Sequence, residues 1–446
     1  MQDRVPVFTS SSTAPIAGAA WAFYDWANSA FPTVITTFVF AAYFTKGVAV
    51  DPIEGTAAWG LAVSLSALAV AILGPIAGAV ADYTGRQKPW LALFTYACVG
   101  ATALLWFVEP NPHWVLFALV VMGLGNFCFE MAVVFYNAML PGLVSKDHLG
   151  RLSGWAWGLG YIGGLSCLTI ALVGFVQVDT PWFGLSKDNA EHLRVTSLLV
   201  AVWMGVFALP VFWLTPDART QRIPLGRAVR EGLVTLRETF GHVRRFKHIA
   251  RYLIARMIYT DGLNTLYAFG GIYAGVTFGM DFTEIIIFGI SINVVSGLGA
   301  ISFGWVDDWI GPKRTVLISL AGLSVLGLAL VFAQTKTQFW LLAMPLGLFV
   351  GPAQAASRSF MAHLAPPDMV TEMFGLYALS GKATAFIGPL ILGWVTAAAD
   401  SQRAGMATIL IFFAIGAALL WPLADPSRPK TALDSQNAMQ NAKKRG

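Results

Sequence analysis

Gly78-Ala79-Val80-Ala81-Asp82-Tyr83-Thr84-Gly85-Arg86-Gln87-Lys88 returns later in the chain as Gly304-Trp305-Val306-Asp307-Asp308-Trp309-Ile310-Gly311-Pro312-Lys313-Arg314. Glycine and aspartate fall at the same offsets in both stretches, and basic residues follow the second glycine. Each stretch ends a long apolar run. The glycines permit a tight turn between two membrane spans. Arg and Lys hold that turn on the cytoplasmic side, and the aspartate can cap or pair at a neighbouring helix end. One such loop could be a plain hairpin, but two at equivalent places mark a repeat. We read Gly78, Asp82, Gly85, Arg86, Lys88, Gly304, Asp308, Gly311, Lys313 and Arg314 as gating loops.

Composition places these loops in a membrane protein. Of 446 residues 56% are hydrophobic and only 12% charged, with a mean hydropathy of +0.64. A soluble chain carries about 25% charge, so this one lacks the polar groups to cover itself with. An apolar exterior suits lipid. Runs of roughly 20 apolar residues predict twelve spans, at about 18–44, 57–80, 89–108, 114–139, 152–176, 194–214, 250–277, 284–306, 315–334, 338–361, 373–397 and 405–423. Met1 to Thr13 is polar and Asp25 interrupts the run that follows, so the first span reads as retained rather than as a cleaved signal. Cys98, Cys128 and Cys167 sit singly in apolar runs, without disulfide or zinc spacing. The six histidines are scattered, and neither a metal site, a cofactor nor a catalytic cluster is expected.

Even-numbered breaks carry Arg86 and Lys88, Lys146 and Arg151, Arg219 to Arg251, and Lys313 and Arg314. Odd-numbered breaks carry Asp51, Glu54, Glu109, Asp179, Asp188, Glu191, Asp281 and Asp400. Positive charge stays inside, which predicts cytoplasmic termini. The net charge of +5 reads as a cationic membrane face rather than a nucleic-acid site. The expected organisation is a six-helix half at 1–214, a cytoplasmic linker at 215–249, a second half at 250–424 and a disordered tail at 425–446. In the linker Leu225, Val229, Leu233, Leu236, Phe240 and Val243 recur at helical spacing, which predicts an amphipathic helix.

A second echo supports the two halves. Asp25-Trp26-Ala27-Asn28-Ser29 in the first span matches Asp261-Gly262-Leu263-Asn264-Thr265 in the seventh. Repeated halves around a central pathway suit secondary transporters, which rock one half against the other. The loops resemble the signature of the major facilitator superfamily over the whole chain, which implies an all-α membrane fold of twelve helices in two pseudo-symmetric halves. Trp21 to Phe31, Ala356-Ser357-Arg358-Ser359 and Phe374 to Thr384 are similar to the first-, tenth- and eleventh-helix motifs of one branch. That branch holds the yeast autophagy-related vacuolar amino-acid effluxer and bacterial relatives. The resemblance implies export of amino acids or similar solutes, and a bacterial inner-membrane location.

Ionisable groups inside a span cost several kcal/mol unless paired or wetted. Asp25, Glu130, Arg256, Asp261, Arg358 and Lys382 are therefore site candidates, although Arg256 near the interface could simply snorkel. Rise per residue puts most of them roughly 10–17 Å deep, with Arg358 at about 5 Å. In the superfamily the first, fourth, seventh and tenth spans line the cavity, so the charges are expected to converge. An ammonium would suit Asp25 or Asp261, and a carboxylate would suit Arg358 or Lys382. Asn28, Asn126, Asn137, Asn264 and Gln354 could add hydrogen bonds. Buried ion pairs that only lock helices are the structural alternative. The expectation is a monomeric, proton-coupled carrier of a small polar or zwitterionic solute. A lipid or lysolipid flippase on the same fold is the alternative, and a membrane enzyme lacks its catalytic cluster.

Overall fold

The computed structural model describes residues 14–216 and 246–425, together with Gly226, Arg230, Glu231, Val234 and Ser427. The expected linker helix and most of the C-terminal tail lie outside the described residues. Every regular element among those described is a helix. Eleven helical spans are long and apolar enough to cross a membrane. We label them α1 (Pro15–Val48), α2 (Pro52–Thr84), α3 (Lys88–Phe107), α4 (Pro112–Gly142), α5 (Lys146–Val176), α6 (Glu191–Leu214), α8 (Thr283–Ile310), α9 (Pro312–Phe332), α10 (Lys336–Leu364), α11 (Val370–Ala399) and α12 (Gln402–Leu420). Between them α7 (Lys247–Phe278) completes the twelve. It is as long as its neighbours, but Lys247, Arg251, Arg256 and Asp261 dilute its apolar character.

Local chemistry sets the ends and bends. Asp51, one of the acidic break residues, caps α2 by accepting from Ile53 N at 2.8 Å and Glu54 N at 3.0 Å. Asp281 forms a reciprocal capping box with Glu284 at the start of α8, which ties up two N–H groups that the helix leaves orphaned. In α1, Pro32 has no N–H to give the helical ladder, and the turns Phe31–Phe38 and Phe44–Val48 widen to π geometry. In α11 the Pro389 ring opposes the carbonyl four residues back. The span accordingly divides into Val370–Lys382 and Ile387–Ala399.

Among the described residues, the twelve helices form two halves whose hydrogen bonds to each other lie toward one end. We call this the basic end, because Arg86, Lys88, Lys146, Arg151, Lys313 and Arg314 lie there. One apolar core there runs through both halves, from Trp21 and Phe135 to Tyr252 and Phe374. A second core, from Phe31 to Met204, fills the acidic end of the N-terminal half and draws no residue from the other half. Among the described residues, the hydrogen bonds that cross between halves lie no further from the basic end than Tyr161 and Tyr267, whose hydroxyls are 2.9 Å apart. The Trp155 and Trp305 rings meet edge to face across the α5/α8 seam, with centroids 5.7 Å apart and both side chains exposed.

Candidate functional site

The repeated loops come together as two symmetry-related latches. Gly85 and Gly311 end α2 and α8 at φ of 68° and 94°, a backbone region that strongly favours glycine. Asp82, three residues before Gly85, accepts from Thr371 N at 2.9 Å and Glu372 N at 2.7 Å, in the first turn of α11. Asp308, three residues before Gly311, accepts from Gly150 N at 2.8 Å and Arg151 N at 3.3 Å, at the start of α5. Asp308 also pairs with the Arg151 guanidinium at 2.7 Å. Each carboxylate thus sits at the positive end of a helix from the other half. Gly78 and Gly304 let the chains approach that closely. A Cβ on Gly78 would lie 2.5 Å from Thr371 O, and one on Gly304 3.1 Å from Arg151 Cα. Of the basic residues, Lys88 ties α3 to the end of α6 by donating to Thr215 O at 2.7 Å. Arg86 and Arg314 are exposed and Lys313 is half-buried.

Deeper in, two ion pairs bridge the halves. Arg358 of α10 is buried, and its guanidinium works as a fork. It bonds Asp25 Oδ2 at 3.0 Å on α1, Asn137 Oδ1 at 3.4 Å on α4, and Ser153 Oγ and O at 2.9 and 2.7 Å on α5. The Trp21, Tyr136 and Trp157 rings surround the cation at 4.8 to 5.7 Å, which favours a desolvated guanidinium. Lys382 of α11 pairs with Glu130 of α4 at 2.7 Å. This second pair is the more open one, with the lysine side chain 34% exposed against 4% for Arg358.

The remaining candidates distribute differently. Asp261 stays within its own half. Its Oδ2 accepts from Gly388 N at 3.1 Å, where α11 restarts after its break, and its Oδ1 has no partner. It is the sequence counterpart of Asp25, but it makes no bond to the Arg358 cluster. Asn28 is buried beside Ser29, Asn264 is exposed one turn before Tyr267, and Gln354 is half-buried one turn before Arg358. Asn126 donates to Ser66 of α2 at 2.6 Å. Arg256 does not snorkel. Its guanidinium carbon lies 3.4 Å from the Tyr377 ring centroid, and Nη1 donates to Tyr377 O and Ser380 Oγ, each at 2.7 Å.

Sequence reasoning missed Ser153, the second anchor of Arg358. It also missed a matched pair at the acidic end. Arg194, in the first turn of α6, donates to Trp106 O at 2.8 Å near the end of α3. Arg403, at the start of α12, donates to Val331 O at 2.6 Å near the end of α9. Their signal was a lone arginine opening the sixth span of each half.

Comparison with known proteins agrees with this architecture. Residues 48–432 match the family model described as vacuole effluxer Atg22 like. A Bacillus subtilis protein named as an MFS-type transporter, YxiO, is 29% identical over 411 residues, covering 90% of this chain and 93% of that one. Autophagy-related protein 22 of Saccharomyces cerevisiae is 24% identical over 386 residues, covering 75% and 71%. Among solved structures, the proton:xylose symporter XylE superposes with a TM-score of 0.70 at 13% identity, over 93% of this chain and 96% of that one. The transporter FucP in its outward conformation gives 0.66 at 13%, over 92% and 98%.

Proposed function

The chain belongs to the Atg22-like family of the major facilitator superfamily, and from that premise we propose that it carries a small zwitterionic solute, amino acids first among them, by proton-coupled alternating access. The observation that carries this reading is the polarity of the two inter-half ion pairs. Both acids, Asp25 and Glu130, belong to the N-terminal half, and both bases, Arg358 and Lys382, to the C-terminal half. A zwitterion offers an ammonium to one half and a carboxylate to the other. It can therefore replace a bridge without leaving a charge unpaired, which is the costly alternative. Glu130 and Lys382, the more exposed pair, are the first point of exchange. A proton on Glu130 frees Lys382 for the substrate carboxylate, and that links proton to solute.

In this reading the basic end faces the cytoplasm of a bacterial cell, with both termini there. The Asp82 and Asp308 latches then hold the chain outward-facing as a monomer in the bilayer. Efflux begins when they release. Asn28, Asn137, Asn264 and Gln354 supply uncharged hydrogen bonds along the path, and Asp261 is a second proton carrier.

The test is transport in proteoliposomes with radiolabelled amino acids, with and without a pH gradient. Wild type is compared with Glu130→Gln, Lys382→Gln and Asp25→Asn. We expect gradient-driven uptake in wild type, uncoupled or lost in the Glu130 and Asp25 variants. Equal, gradient-independent uptake in all four would refute the coupling. Transport of a lysophospholipid in a parallel assay, with no amino-acid transport, would make the chain a lipid carrier instead.

A further inference from the structure

Among the positions at which the two latch motifs differ, one adds an acid directly beside the latch aspartate. Ala81 precedes the latch aspartate in the first motif, whereas Asp307 precedes it in the second. Asp307 is 3% exposed, and its Oδ1 meets no hydrogen-bond donor. Its cover comes from the opposite half. A Cβ on Gly150, at the start of α5, would lie 2.6 Å from the Asp307 Cβ. Asp307 lines a recess of about 70 Å³ at the basic end.

We propose that Asp307 is a proton-binding site of the closed gate, loaded while α5 covers it and emptied when the halves part at the basic end. The hydrogen bonds around it suit the acid form. Ser359 Oγ lies within bonding distance of both Asp307 Oδ2 and, at 3.2 Å, Ala356 O. A protonated Oδ2 donates to Ser359 Oγ, and that hydroxyl then donates to Ala356 O, so every proton in the chain is used. The ionised form needs donors at both oxygens and finds one. A buried carboxylate short of a partner costs far more than a buried neutral acid.

The neighbouring charges do not supply the missing partner. Arg151 is committed to Asp308, the next residue along α8. His363 of α10 turns its nitrogens to Ser359 O at 2.8 Å and Lys146 O at 3.2 Å. Lys146 and Asp147 of α5 line the recess. Asp425, past α12, adds negative charge, with Lys313 of α9 near it. When α5 withdraws, water reaches Asp307 and the proton leaves by the recess. Binding is simply carboxylate plus proton to acid, and by linkage it favours the closed state.

The inference rests on the alternating-access reading, and the test separates the two. Spin labels on His148→Cys and Asp368→Cys, with Cys98, Cys128 and Cys167 replaced by alanine, report the gap at the basic end. The closed-to-open ratio is followed between about pH 5 and about pH 9, where perturbed carboxyls titrate. The expected wild-type ratio falls as pH rises, and the slope loses up to about tenfold per pH unit, one proton's worth, in Asp307→Asn. Asp307→Ala, which copies Ala81, serves as the second variant. An unchanged slope in either folded variant, or no pH dependence in wild type, overturns the proton site. If only one distance appears at every pH, with or without amino acids, alternating access itself fails and this inference falls with it.

Discussion

Asp82 and Asp308 occupy matching positions in the two halves, and each caps a helix that belongs to the other half. The contact therefore exists only while the halves are together at the basic end. A carboxylate capping a helix N-terminus is worth about 0.5–2 kcal/mol. Asp82→Ala or Asp308→Ala should shift the closed-to-open ratio by roughly two- to thirtyfold toward open, read from spin-label distances across the basic end. No shift in either variant would mean that the latches are not what holds the gate.

The glycines that allow the close approach make a sharper test. A Cβ on Gly154 would lie 2.3 Å from Ala300 O, and one on Gly78 2.5 Å from Thr371 O, both backbone atoms across the seam. Gly154→Ala and Gly78→Ala should favour the open basic end, seen as a longer distance between spin labels on His148→Cys and Asp368→Cys. Gly60→Ala, where no atom lies within 4 Å of the added carbon, is the control. Equal distances in all three would contradict the packing described.

Arg358→Lys keeps the charge but not the fork. One ammonium cannot reach Asp25, Asn137 and both Ser153 oxygens together. Breaking a buried charge network costs about 3–5 kcal/mol, and the retained charge recovers part of that. The expected result is a lower thermal unfolding temperature of the purified chain, together with weaker closure. A variant as stable as wild type would show that the hub holds nothing.

Arg194→Ala and Arg403→Ala should behave alike. Each loses a guanidinium bond to the end of a neighbouring span and a ring contact, with Trp106 or Phe278. Charged hydrogen bonds contribute about 1.5–3 kcal/mol. Both variants should unfold at lower temperature while the basic-end distance distribution stays as in wild type. A change in gating would assign these arginines a different part.

How much of this was legible follows from what a sequence encodes. Apolar run length gave the spans, because the bilayer fixes length. Only α7 falls short on apolar character, because Arg256 and Asp261 turn inward along it and Lys247 and Arg251 sit exposed at its start. The Gly–Asp–Gly spacing gave the latches, because turn and close approach both demand glycine. Depth along a helix was readable, but the direction a side chain takes around it was not. Asp25 and Asp261 therefore looked equivalent, yet one meets Arg358 and the other the restart of α11. The partners of Arg358 lie on three helices of the other half, and no local spacing reveals such a set. Asp307 is one of seven departures between the two motifs, and only its burial and its orphaned oxygen set it apart.

The Trp155 and Trp305 indoles give the chain an optical gauge of its own movement. They touch only because α5 and α8 touch, one indole from each half. Any swing that parts those helices uncouples the two chromophores, with no dye or label attached. Near-ultraviolet circular dichroism would follow such a swing in real time, and Trp305→Phe would remove this pair's share of the signal while the stacked Trp26 and Trp203 keep theirs.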